Sequence, residues 1–95
     1  MKISLQADDV RSAAADMGRA AEAADQEFRS TESRLKALGE AFQGQAATAF
    51  DEQFDQWRNG SLQLIEGLRG LGGFLGNAAT TMEDTDAQIA SNLRQ

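Results

Sequence analysis

The chain contains no cysteine, no histidine and no proline. Without thiols, neither a disulfide nor a thiolate metal site can form, and without imidazole the commonest general base and metal ligand are missing. Enzymes of most familiar kinds are therefore not expected, nor is a cofactor or metal. The absence of proline removes the strongest helix breaker from a chain rich in alanine, which reads as all-α. Basic charge is also scarce: nine Lys and Arg stand against fifteen Asp and Glu, a net charge of −6. Such a surface repels a phosphate backbone, so nucleic acid is not an expected partner. No long apolar run is present either. Met1 to Asp9 holds nothing like the hydrophobic core of a cleaved leader, and Leu62 to Ala79 is broken by Glu66 and Arg69, too short a span to cross a bilayer. At 95 residues and 41% hydrophobic content, one small domain is the limit, and it buries too little surface to be comfortably stable alone.

What is present is periodicity. From Val10, alternating steps of four and three reach Ala14, Met17, Ala21, Ala24, Phe28, Thr31, Leu35, Leu38 and Phe42. This heptad pattern predicts one amphipathic helix over about residues 8–42, with Asp8 or Asp9 as its N-cap. A second series runs through Ala47, Phe50, Phe54, Trp57, Ser61, Leu64, Leu68, Leu71, Leu75, Ala78, Met82, Thr85 and Ile89, predicting a helix over about 47–92. Between them, at about 43–46, Gly44 can take the left-handed conformation that reverses a chain. The expected fold is an antiparallel helix-turn-helix hairpin forming a single domain over 1–95. One continuous rod, or a break near Gly70 to Gly76, are the competing readings.

Six glycines inside the second helix, Gly60, Gly67, Gly70, Gly72, Gly73 and Gly76, each cost roughly 0.5–1 kcal/mol relative to alanine, so packing must hold the segment. Two helices with one seam each leave Phe50, Phe54, Leu62, Ile65 and Phe74 partly wet. A second hairpin, identical or related, would complete a four-helix bundle. Its dimer core is assigned to Phe28, Leu35, Leu38, Phe50, Phe54, Trp57, Leu64, Leu68, Leu71 and Leu75. With Gly44 as pivot, Val10 faces about Ala78, so the tail from 82 to 93 overruns the first helix. Met82, Ile89 and Leu93 then lack an intrachain partner and form an apolar recognition stripe. Glu83-Asp84-Thr85-Asp86 reads as a solvated acidic face rather than half of a calcium loop.

The run Phe42-x-Gly44, Ala46-Ala47, Phe50, Phe54 and Trp57 resembles the WXG100 (ESAT-6-like) family of type VII secretion substrates. The tail is similar too: Met82, Asp86, Ile89 and Leu93 match the family's spacing of apolar, acidic and two further apolar residues. Phe42 stands where the family usually has Trp, and Met82 where Tyr is usual. The resemblance implies a small non-enzymatic protein made in the cytoplasm and exported as a homo- or heterodimer without a cleaved signal peptide. It further implies a turn motif at Phe42 and Gly44, a secretion signal at Met82, Asp86, Ile89 and Leu93, and the secretion ATPase as a partner. Two alternatives use the same seams: a targeting partner for a larger secreted toxin, and a membrane-active helical hairpin.

Overall fold

The first turn of the chain's first helix is closed by a reciprocal hydrogen-bond pattern. The Gln6 carbonyl accepts from the Asp9 N–H at 3.0 Å while the Asp9 carboxylate accepts from the Gln6 N–H at 3.3 Å. Gln6 is thus the N-cap and Asp9 the third helical residue, correcting the assignment of Asp8 or Asp9 as cap; a carboxylate at that position satisfies an orphan donor and opposes the positive helix end. The computed structural model describes residues 6–93 and holds two helices, α1 (Ala7–Gly39) and α2 (Gly44–Leu93).

α1 ends three residues earlier than the heptad pattern suggests, in a tight turn where the Ala41 and Phe42 N–H groups donate to Leu38 and Gly39 carbonyls. Gly44 has φ of 62°, the left-handed region in which a side chain is strained, and begins α2 directly after the reversal. Phe42 and Gly44 therefore sit at the hairpin tip. α2 is continuous through all six glycines, without a break near Gly70 to Gly76. At about 1.5 Å per residue its 50 residues account for the longest dimension of the molecule, 77 Å.

On α1 the expected seam holds from Val10 to Leu35, with Ala21 fully buried. It then passes to Gly39, over which the Phe50 ring lies, leaving Leu38 exposed. On α2 the phase differs from the expectation. Phe50, Phe54, Trp57 and Ser61 face α1 as expected, but the next step is four rather than three. The buried line continues Ile65, Leu68, Gly72, Leu75, Ala79 and Met82. Ile65 is 4% exposed, so its reading as an outer residue is overturned; Leu64 and Leu71 are 53% and 49% exposed, outside the seam that joins the two helices. Two consecutive steps of four are a stutter, which locally unwinds a heptad coil. It falls at Ser61, whose hydroxyl donates to the Trp57 carbonyl at 2.8 Å, a back-bond that tends to bend a helix.

The hairpin is aromatic toward the tip and small-residue toward the base. Phe42, Phe50, Phe54 and Trp57 form a ladder of near-parallel rings with centroids 5.1 to 6.1 Å apart, and Phe28 meets Trp57 edge-on at 6.0 Å. At the base, Gly72 lies against Met17, Ala14 and Gly18 of α1, and a Cβ built there would come within 3.3 Å of the Met17 Cβ and 3.4 Å of the Ala14 carbonyl oxygen. Gly70, by contrast, faces open space. Gly70→Ala is therefore expected to stabilise the fold by about 0.5–1 kcal/mol, the helix-propensity gain, while Gly72→Ala loses that gain to the crowded approach. Urea denaturation of the two variants side by side checks the difference.

Candidate interaction surfaces

Two flanks of the hairpin have opposite character. On one, Asp25, Arg29 and Glu32 of α1 meet Arg58, Ser61 and Leu62 of α2 around an open hollow of about 200 Å³. Its rim is tied by ion pairs, Arg29 to Asp25 at 3.1 Å and Arg58 to Glu32 at 3.2 Å. The Ser61 hydroxyl is committed to its back-bond, and no imidazole exists to activate it. Among the described residues no group of three or more carboxylates could hold a metal ion, and no helix is long and apolar enough to cross a membrane.

The opposite flank is apolar. It carries a second hollow of about 270 Å³ lined by Leu35, Phe50, Gln53, Phe54 and Trp57. Helical spacing places exposed Leu38 on the same flank of α1, and Leu64 and Leu71 on the same flank of α2. The residues assigned from sequence to a dimer core thus separate into two groups. Phe28, Leu35, Phe50, Phe54, Trp57, Leu68 and Leu75 are half-buried between α1 and α2, whereas Leu38, Leu64 and Leu71 face outward. Phe74, the most exposed of the large apolar residues between the tip and Met82, lies next to this stripe. Periodicity alone marks Phe74 as an outer residue but attaches Leu64 and Leu71 to the wrong seam.

At the base of the hairpin, α2 runs on past α1. Met82, expected to lack an intrachain partner, is instead half-buried at the last level shared with α1, because the seam of α2 runs on through Ala79 to it; Asp86, Ile89 and Leu93 lie beyond, with Leu93 82% exposed. One contact that sequence reading misses fastens this level. The Arg11 guanidinium donates to both carboxylate oxygens of Glu83, one bond measuring 2.9 Å, across 72 positions of sequence. The guanidinium holds the Glu83 carboxyl below its ordinary value, chiefly through the hydrogen bond, against partial desolvation, with the neighbouring positive charge adding to the effect. A depressed carboxyl value means the clamp is present above the ordinary glutamate range and is lost as pH falls through the folded value. Arg11→Ala should raise the Glu83 midpoint toward the ordinary value, read by carboxyl-carbon NMR titration; an unmoved midpoint would mean the pair does not persist in solution.

A relative from Bacillus subtilis (strain 168), described as uncharacterized protein YfjA, is 39% identical over 72 residues, covering 72% of this chain and 69% of the relative. No solved structure matches the chain. The profile described as "Proteins of 100 residues with WXG" matches residues 2–87, nearly the whole of the hairpin, and the chain therefore belongs to the WXG100 family.

Proposed function

We propose that this protein is a type VII secretion substrate that leaves the cell as a paired helical hairpin and acts through protein–protein contacts. Family membership supports the coarse reading, a small secreted helical protein. The observation carrying the finer one is the overhang. Beyond the Arg11–Glu83 clamp, α2 projects Asp86, Ile89 and Leu93 into solvent, with no part of α1 to cover them. A helix end that exposes two large apolar side chains and a carboxylate at the spacing of the family's tail signal suits capture by the secretion ATPase. Phe42 and Gly44 shape the tip, and the apolar flank with Leu38, Leu64 and Leu71 is where a second hairpin seats. In this reading the chain carries no catalysis of its own and needs no cofactor.

The test is export from the producing bacterium. The intact chain should accumulate in the culture medium and vanish from it, while persisting in the cells, when the type VII ATPase is deleted. Undiminished export without that ATPase would overturn the reading.

A further inference from the structure

We propose that Met17 and Met82 form an oxidation-sensitive site at the base of the hairpin: a hydroperoxide converts them to sulfoxides, and the base opens while the aromatic tip stays closed. The inference concerns the hairpin itself and stands apart from how the protein leaves the cell.

Three observations carry it. First, composition leaves a two-electron oxidant few targets. The chain has no cysteine, histidine or tyrosine, and its sulfur atoms are those of Met1, Met17 and Met82. The single tryptophan, Trp57, is stacked on Phe54 and met edge-on by Phe28. Second, Met17 of α1 and Met82 of α2 are both half-buried on the seam between the helices, in its base half. Such a side chain is packed and yet within reach of a small oxidant. The rings of the tip carry no sulfur. Third, the surroundings have no room and no donor for an added oxygen. Gly72 closes so near that a Cβ there would come within 3.3 Å of the Met17 Cβ. The seam continues through Leu75 and through Ala21 and Ala79, which are 1% and 0% exposed. None of these side chains can donate a hydrogen bond, and the backbone N–H groups inside α1 and α2 are spent within the helices. At the level of Met82 the Arg11 guanidinium is already given to both oxygens of Glu83.

The chemistry is a single oxygen transfer. The thioether sulfur attacks the outer oxygen of the hydroperoxide, the S–O bond forms as the O–O bond breaks, and the proton of the transferred oxygen passes to the departing one. Sulfur is oxidised by two electrons to the sulfoxide, and the hydroperoxide is reduced to water or an alcohol. A sulfoxide oxygen is a strong acceptor, and burying it unpaired is unfavourable. Water becomes its partner only when Gly72 and Met82 draw back from α1, which also leaves the Arg11–Glu83 clamp without the packed level beside it.

Peroxide treatment of the purified full chain tests this. After exposure to millimolar hydrogen peroxide, peptide mass spectrometry should find sulfoxide at Met17 and Met82. Amide hydrogen exchange should accelerate at least about tenfold over residues 14–21 and 72–79, and less than about twofold over 50–57. Reduction by a methionine sulfoxide reductase should restore the original rates. The double variant Met17→Leu/Met82→Leu keeps the side-chain volumes close and retains Met1, and peroxide should leave its exchange unchanged. If that variant does not fold, reversal by the reductase supplies the same control on the native sequence. Both methionines unmodified in the folded chain, sulfoxides without faster exchange at the base, or equal acceleration at base and tip would each overturn the inference. So would acceleration that persists in the leucine variant or after the sulfoxides have been reduced.

Discussion

Replacing Ile89 and Leu93 together by alanine is expected to cut export at least roughly tenfold while leaving helicity and dimer formation near the wild-type level. The size follows from burial: each large apolar side chain moved fully out of water contributes about 1.5–3 kcal/mol, and 1.4 kcal/mol is a factor of ten in binding. The separation of the two effects follows from position. Both residues lie past the Arg11–Glu83 clamp, where α1 no longer covers α2, so among the described residues the seam between the two helices is left intact when they shrink. Asp86→Ala should reduce export as well if its carboxylate is read by the receptor. Glu83 is an unsuitable silent control, since it holds Arg11; exposed Asp84 is the better one, and Asp84→Ala should export normally. Equal intracellular abundance of each variant is needed for the comparison. Normal export of the Ile89/Leu93 double variant would remove the tail from recognition.

The second large effect separates two neighbouring residues. Ile65→Ala should destabilise the protein by about 2–5 kcal/mol, the usual result of emptying a packed aliphatic site. Leu64→Ala, one position earlier, should cost far less in the hairpin, because its side chain is half exposed to water there; under the paired-hairpin proposal it is buried once a partner docks. Urea denaturation over a dilution series distinguishes them: the Leu64→Ala deficit fades as the chains separate, and the Ile65→Ala deficit does not. Equal and concentration-independent losses would place Leu64 in the intrachain seam after all.

That pair also shows where sequence reading stops. After Ser61 a step of three lands on leucine and a step of four on isoleucine, so either continues a regular apolar series. Hydrophobic periodicity does not separate them. What decides is the opposite helix: Gly72, four beyond Leu68, is the residue that lets α2 approach Ala14 and Met17, and a step to Leu71 would set a bulky side chain against them. The same ambiguity at Leu38 and Gly39 resolves toward glycine because the Phe50 ring needs the room. Features written in single residues are legible. Gly44 marks the reversal, and the α1 seam from Val10 to Leu35 can be followed residue by residue. The Arg11–Glu83 clamp is not legible, since ordinary charged residues so far apart in sequence carry no local sign of meeting.

The cross-section of the hairpin bears on how such a protein travels. It is a rod 24 by 17 Å across, and two rods laid flank to flank double the thinner dimension. A conduit wide enough for one hairpin but not for two would have to strip the partner at its mouth. A conduit narrower than a single hairpin would have to pull α2 away from α1. Traction applied to the protruding helix end would load the Arg11–Glu83 bond first, then the alanine and glycine contacts of the base, and the aromatic ladder at the tip last. Pulled from that end, the hairpin would open from its base and keep its aromatic tip closed until last.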